Sequence, residues 1–176
     1  MEEKNWLDLI LTKNQVEAVL NMNEQTQRYG LSLTKEEAEA LIQRRQECLK
    51  KERRVEFGES ILPKLIDTFC DSAYIERDQY ADVLAKLQDI FYLYKNEMMD
   101  EITDDELLEF MKEQFETVCF GDLDYLEGTC LEIFAEAIRA GYRDYVITGG
   151  RGEWKQFDIV KRWDREVFLQ ALSDLT

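Results

Sequence analysis

The chain has 176 residues, of which 38 are acidic and 22 basic, so its formal net charge is −16, and it contains no histidine. Histidine is the usual general base near neutral pH and the commonest metal ligand. Its absence excludes Ser-His-Asp and Cys-His catalysis, zinc sites that contain histidine and di-iron bundles of the Glu-x-x-His type. The negative charge makes nucleic acid an unfavourable main partner and opposes binding to an anionic membrane.

The composition favours one globular, helix-rich domain. Hydrophobic residues make up 45% of the chain, while one proline and eight glycines leave few signals for turns. The first residues lack the basic and apolar regions of a signal peptide. The longest apolar run, Ile90 to Tyr94, is too short to span a bilayer. We therefore expect a cytoplasmic protein that does not enter the membrane.

The four cysteines, Cys48, Cys70, Cys119 and Cys130, show no C-x-x-C spacing. This spacing argues against a zinc knuckle or a thioredoxin-like dithiol. Cys48, Cys70 and Cys130 fall on apolar helical faces. The pattern predicts four buried, reduced thiols, as is usual in the cytosol.

The first elements in chain order are an apolar segment and a helix. Residues 6–11 predict either a short strand or a lead-in to a helix, and a helix follows from about Thr12 to Tyr29. Gly30 stands where a left-handed C-cap belongs.

A second helix is predicted from Thr34 to about Arg54. Thr34 and Glu37 have the spacing of a capping box, in which each side chain bonds the backbone N–H of the other residue. The last turns of this helix are rich in lysine and arginine, which complement the negative end of the helix dipole.

The third and fourth helices carry the strongest apolar patterns. The third covers about residues 59–70, with Pro63 tolerated in its first turn. The fourth, from about residue 78 to 98, is apolar nearly all round, which is typical of a core helix or of one that exposes a patch for a partner. Central burial is the favoured interpretation. For its exposed part, Tyr92, Leu93 and Lys95 are the predicted interface residues.

Two further helices are followed by a C-terminal segment of different composition. Thr103 and Glu106 form a second capping-box pattern that opens a fifth helix, and a sixth runs from about residue 122 to 140. Residues 145–148 and 154–160 flank four turn residues and predict a small β-hairpin. A last helix begins near Asp164.

The glycine-rich turn between the two strand-like runs is a candidate anion site. Gly149, Gly150, Arg151 and Gly152 could form a backbone nest, with Arg151 as a bidentate donor. The turn lacks the Lys-Ser/Thr of a P-loop, and an ordinary hairpin turn is the favoured interpretation. Residues 139–165 are net basic and residues 97–136 strongly acidic, which favours internal charge pairing over a basic ligand groove.

Paired carboxylates supply the one candidate metal site. Asp67 and Asp71 are four residues apart on the third predicted helix, so both would lie on one face and could hold Mg²⁺ or Mn²⁺. In a chain with 38 acidic residues such pairs also arise by chance, and solvated helix faces are the favoured interpretation. No cofactor is predicted.

Several short segments together resemble a known family. They are Tyr29-Gly30-Leu31, residues 54–59 (RVEFGE), residues 62–65 (LPKL) and residues 69–72 (FCDS). They resemble a family of small uncharacterised bacterial proteins known only as a domain of unknown function, over about residues 12–140. The resemblance implies a bacterial, cytosolic, mostly helical protein, and it brings no activity and no catalytic residues.

The sequence as a whole predicts a mainly α protein, a single-domain bundle of six to seven helices with a small C-terminal β-hairpin. Residues 1–141 form the helical domain, and residues 142–176 form an appendage packed on it. The expected function is a non-enzymatic protein-interaction or adaptor module that binds a protein partner or forms a homo-oligomer. The first alternative is a Mg²⁺- or Mn²⁺-dependent phosphohydrolase that uses clustered carboxylates. A second is RNA or nucleotide binding by the basic second helix and tail.

Overall fold

The computed structural model describes residues 2–56 and 59–139, and these residues are mainly helical. The α-helices are α1 Glu2–Asn21, α2 Asn23–Thr26, α3 Lys35–Lys51, α4 Leu62–Phe69, α5 Tyr80–Glu97, α6 Asp104–Thr117, α7 Leu123–Tyr125 and α8 Leu131–Arg139. Six of these have eight or more residues, and no strand occurs in the described part of the chain. The mainly α fold class is confirmed, while the predicted hairpin and last helix lie outside the described residues.

The two predicted capping boxes are both present. The Thr34 hydroxyl accepts a hydrogen bond from the Glu37 backbone N–H at 3.1 Å, and the Glu37 carboxylate accepts one from the Thr34 N–H at 2.8 Å. Thr103 and Glu106 repeat this arrangement at 3.2 Å and 2.9 Å. These reciprocal bonds satisfy N–H groups that a helix leaves unpaired, and they fix where α3 and α6 begin.

The start of the first helix differs from the sequence prediction. Residues 6–11 belong to α1, which begins at Glu2, so the strand alternative was wrong. Leucine, which occupies three of these six positions, favours helix, and no proline or glycine interrupts the segment. After Asn21 the chain continues through α2 and a 3₁₀ turn at Gln27–Tyr29. Gly30, with φ +75°, ends this 3₁₀ turn. The predicted left-handed C-cap is therefore confirmed.

The chain divides into two compact units, Met1–Leu93 and Tyr94–Thr176, with the division inside α5. In the first unit α4 is the most apolar helix, and it buries Leu62, Leu65, Ile66 and Phe69. Pro63 lies in its first turn, where a missing N–H costs nothing. Central burial of the fourth predicted helix is confirmed for Leu84, Leu87, Ile90 and Phe91 of α5.

The second unit buries apolar faces of α6 and α8. Their buried side chains are Leu107, Leu108, Phe110, Met111 and Phe115 on α6, and Leu131, Phe134, Ala135 and Ile138 on α8. The rings of Phe110 and Phe134 stack with centroids 3.7 Å apart and planes 8° from parallel. One π-helical turn, Leu126–Cys130, joins α7 to α8. The domain boundary predicted near residue 142 lies outside the described residues and stays a prediction.

The sequence predicts a protein that does not enter the membrane. None of the helices in residues 2–56 and 59–139 combines the length and the apolar character that a bilayer crossing requires.

Candidate functional site

A polar contact links the outer faces of α3 and α5. The Nε–H of Arg44 donates one bifurcated hydrogen bond to the two oxygens of the Asp89 carboxylate, at 2.9 Å and 3.1 Å, and Nη2 donates another. The Cys48 thiol donates to the same carboxylate at 3.0 Å. Burial alone would raise the pKa of Asp89, but the hydrogen bonds from Arg44 and Cys48 and the positive charge of Arg44 hold it below its usual range. Burial and the bond to Asp89 raise the pKa of the Cys48 thiol to about 12.

A second, more deeply buried cluster joins the same two helices. Arg45 of α3 is only 4% exposed, and its Nε donates to the Tyr92 hydroxyl at 3.2 Å. The Tyr92 hydroxyl in turn donates to the Glu56 carboxylate at 3.2 Å, and Glu56 pairs with Arg45 Nη2 at 3.6 Å and with Arg54 at 3.3 Å. Burial raises the pKa of Tyr92, so its hydroxyl remains a donor throughout the physiological range.

The predicted interface patch is mostly inside the protein. Tyr92 is fully buried, Lys95 is 6% exposed and Leu93 is partly exposed, so the expectation that these residues form an exposed patch was wrong. The physical reason is that the Tyr92 hydroxyl and the Lys95 ammonium both have polar partners inside the fold. The periodic spacing of apolar residues in the sequence does not reveal such partners. Binding of a partner through these residues is untested, and it would require them to become accessible first.

Lys95 illustrates how such a polar group is accommodated. Its ammonium pairs with the Asp104 carboxylate at 2.9 Å and donates to the Ile102 carbonyl oxygen. Lys95 lies in the last turn of α5, and Asp104 is the first residue of α6. A buried ammonium is stable only when its donors are paired, so this side chain fixes the connection between the two helices.

The predicted carboxylate pair lies on the surface of the first unit. Asp67 is in the last turn of α4 and Asp71 follows the helix, and both are exposed. Asp67 accepts a hydrogen bond from the Gln25 side-chain amide. Within the described residues no group of three or more Cys, Asp or Glu side chains is placed to hold a metal ion. A metal at Asp67 and Asp71 stays a prediction, as does the anion nest at Gly149, Gly150, Arg151 and Gly152, which lies outside the described residues.

The N-terminal half of α1 exposes large apolar side chains. Trp6 is 64% exposed, Leu7 55%, Leu9 63% and Leu11 56%. The C-terminal half of the same helix, in contrast, buries Val16 and Val19, and α1 packs mainly on α3. We name residues 6–11 the apolar segment of α1. Its apolar composition is visible in the sequence, but no functional role was predicted for it.

A groove lies directly beside the apolar segment, between α1 and α3. Its volume is about 780 Å³. The α1 side of the groove is lined by Leu9, Thr12, Lys13, Val16, Glu17 and Leu20, and the α3 side by Lys35, Glu39, Ala40 and Gln43. The lining therefore combines apolar side chains with two lysines and two glutamates.

The four cysteines are free thiols, but two of them are closer together than their sequence spacing suggested. The sulfur atoms of Cys119 and Cys130 lie 3.5 Å apart. Cys119 is buried and Cys130 partly exposed, as Cys48 is, so the prediction of four buried thiols was wrong for two of them. Burial, followed by the hydrogen bond with Cys130, raises the pKa of Cys119 to about 12. Burial also raises the pKa of Cys130.

These features describe a mainly helical protein with buried polar contacts between helices and an exposed apolar helix end. The chain belongs to DUF6323, a family of unknown function, which matches residues 18–144. The resemblance to a family of unknown function is thus confirmed. The matched region contains the polar contacts and the cysteine pair and begins after the apolar segment of α1. Comparisons with curated proteins and with solved structures found no match.

Proposed function

We propose that the protein is a non-enzymatic protein-interaction module that forms a homodimer through the apolar segment of α1. The observation that carries the proposal is the exposure of Trp6, Leu7, Leu9 and Leu11, each more than half accessible. Single exposed apolar residues are normal, whereas four large ones exposed within six residues of one helix are typical of a protein–protein contact. Tryptophan is also enriched among the residues that contribute most to binding.

The shape of the surface favours a second copy of the chain as the partner. The groove begins at Leu9, less than one turn from the exposed Trp6, and follows the same helix to Leu20, about four turns from Trp6. In a two-fold symmetric dimer with antiparallel α1 helices, Trp6 of each copy can enter the groove of the other. A contact of this kind is isologous, so it closes at two copies and does not propagate.

The local charges are compatible with such a pairing. The charged residues that line the groove are Lys13, Lys35, Glu17 and Glu39, so their formal charges sum to zero. The large negative charge of the chain is concentrated elsewhere, since 14 acidic residues lie between residues 97 and 136. Physiological salt screens exposed charges over a Debye length of about 8 Å, which weakens the repulsion between two acidic chains.

Sedimentation velocity over a range of protein concentrations tests the proposal. We expect the wild-type chain to form a dimer, and the double variant Trp6→Glu, Leu9→Glu to sediment as a monomer with an unchanged helical circular-dichroism spectrum. Val55→Glu is the matched control, because Val55 is 78% exposed and lies outside α1. A wild-type chain that stays monomeric at every concentration contradicts the homodimer, and dissociation of the dimer by the Val55 variant contradicts the assignment to α1.

A further inference from the structure

Two thiols in the second unit are placed for bond formation. Cys119 lies in the turn that follows α6, and Cys130 is the last residue of the π-helical turn Leu126–Cys130. Their sulfur atoms are 3.5 Å apart, already in contact. A disulfide bond is about 2.05 Å long, so the atoms need to approach by only about 1.5 Å.

We propose that Cys119 and Cys130 form a site of reversible oxidation, in which hydrogen peroxide converts the two thiols into an intrachain disulfide. The other two cysteines have different surroundings. The Cys48 thiol donates to the Asp89 carboxylate, and the Cys70 thiol donates to the Asp67 carbonyl oxygen at 3.6 Å. Cys48 and Cys70 therefore serve as internal comparisons for any thiol reagent.

The difference in exposure sets the order of the chemical steps. Cys130 is partly exposed and Cys119 only 6% exposed, so a small peroxide reaches Cys130 first. The Cys130 thiolate attacks one peroxide oxygen, the O–O bond breaks, and a sulfenic acid and water form after proton transfer. The Cys119 sulfur then attacks the Cys130 sulfur, the S–O bond breaks, and the departing hydroxide takes the Cys119 proton as water. Two thiols and one peroxide thus yield one disulfide and two waters.

The backbone around Cys119 is held in an unusual conformation. Phe120 has φ +48° and Gly121 φ +85°, and hydrogen bonds from Gly121 N to Phe115 O and from Asp122 N to Cys119 O close the turn. A left-handed conformation is strained for phenylalanine. The π-helical turn that ends at Cys130 is itself a rare conformation, frequent at functional sites. Both sulfur atoms therefore lie on irregular backbone, which can shift more readily than the middle of an α-helix.

The environment of the pair also predicts how its oxidation depends on pH. Because burial raises the pKa of both thiols, little thiolate is present near neutral pH. The rate of disulfide formation should therefore increase steadily between about pH 7 and pH 9. This behaviour is typical of a site that responds to sustained oxidant and is slow to react with a brief pulse.

Peptide mass spectrometry of the full chain tests the proposal, because trypsin leaves both cysteines in one peptide, Glu113 to Arg139. After hydrogen peroxide treatment, alkylation under denaturing conditions and digestion, we expect this peptide to have lost two hydrogen atoms and to carry no alkyl group. Further cleavage after Glu127 should leave two fragments joined by a disulfide. Treatment with dithiothreitol should restore the double alkylation.

Two results would overturn the inference. In one, the peptide from Glu113 to Arg139 stays doubly alkylated while Cys48 or Cys70 is oxidised. In the other, the peptide is joined only to a second chain. The variant Cys119→Ser tests the order of steps, because Cys130 should then accumulate as a sulfenic acid that dimedone traps. If that variant does not fold, the wild-type peptide still decides the outcome.

Discussion

Arg45 and Tyr92 are 47 residues apart in the sequence, and the Nε of Arg45 donates a hydrogen bond to the hydroxyl of Tyr92 at 3.2 Å. Both side chains are buried, and Glu56 supplies the carboxylate that balances the arginine charge. Arg45 Nη2 has no hydrogen bond of its own, although it lies within ion-pairing distance of Glu56. The pairing of this arginine therefore depends on Tyr92 and Glu56 together.

Replacing Tyr92 with phenylalanine should destabilise the protein without changing its fold. The ring remains in place, but Arg45 loses an acceptor and Glu56 loses a donor in a buried setting. We expect the free energy of unfolding to fall by about 1–3 kcal/mol, measured by urea denaturation. Tyr29→Phe is the control, because Tyr29 is exposed and its change should cost less than about 0.5 kcal/mol. Equal effects of the two substitutions would contradict the role assigned to the Tyr92 hydroxyl.

The Asp89 carboxylate should contribute a pH-dependent part of the stability. Its pKa is lowered in the folded protein, so its contribution is fully present above the unfolded value near 3.9 and is lost as the pH falls through the folded value. Asp89→Asn should lower the free energy of unfolding by about 1 kcal/mol at pH 7, a figure discounted for partial exposure.

Denaturation of both proteins across the pH range checks this. The difference in unfolding free energy between wild type and Asp89→Asn should be constant from about pH 5 to pH 8 and should shrink below about pH 4. Glu47→Gln on the exposed side of α3 is the control and should show little difference at any pH. A gap that widened as the pH fell would have the wrong sign for a carboxylate with a lowered pKa.

The Lys95 ammonium should stabilise the connection between α5 and α6. Lys95→Met retains the apolar stem but removes the donors to the Asp104 carboxylate and the Ile102 carbonyl oxygen. We expect a loss of about 1–3 kcal/mol in the free energy of unfolding. Lys35→Met is the matched control, since the Lys35 side chain is 70% exposed and makes an i,i+4 pair with Glu39, and its replacement should cost less than about 0.5 kcal/mol. A gain in stability from Lys95→Met would show that the buried charge is unfavourable in sum.

Arg53 occupies a position that glycine suits better. It follows the C-cap of α3, is exposed and has φ +54°, a conformation that costs about 1–2 kcal/mol for residues other than glycine. Arg53→Gly should raise the free energy of unfolding by about 0.5–1 kcal/mol, measured by urea denaturation, because the relief of strain exceeds the added entropy of the unfolded chain.

A substitution by glycine inside the helix should instead lower the free energy of unfolding. Lys50 is exposed and lies in the last turn of α3, so Lys50→Gly should lower the free energy of unfolding by up to about 1 kcal/mol. If both substitutions destabilise the protein, the left-handed conformation of Arg53 is not a source of strain.

The features that were predicted correctly from the sequence are determined by local interactions. The Thr34–Glu37 and Thr103–Glu106 pairs and the left-handed Gly30 each depend on residues within one turn, so spacing alone predicts them. The family resemblance also followed from short segments.

Contacts between residues that are distant in the sequence, or separated by irregular backbone, could not be predicted from the spacing of residues. Arg45 belongs to a basic stretch that was interpreted as complementing the helix dipole, yet its partner Tyr92 is on another helix. The approach of Cys119 to Cys130 depends on a left-handed turn and a π-helical turn, neither of which has a periodic signal. The exposure of Trp6 follows from which half of α1 is buried, and that is a tertiary property.

If Trp6 of each copy enters the groove of the other, two different single variants should form a heterodimer when they are mixed. Trp6→Glu removes the inserted side chain, while Ala40→Arg places a long side chain in the groove from an exposed position on α3. Each variant alone loses both symmetric contacts and should be monomeric. An equimolar mixture retains one intact contact per heterodimer, namely Trp6 of the Ala40→Arg chain in the open groove of the Trp6→Glu chain.

Sedimentation equilibrium of the two variants, alone and mixed, tests this claim most directly. Burial of one tryptophan side chain contributes about 1.5–3 kcal/mol, so the mixture should associate about 10- to 100-fold more tightly than either variant alone. A mixture no more associated than its separate components, from a wild-type chain that does dimerise, would contradict reciprocal insertion of Trp6.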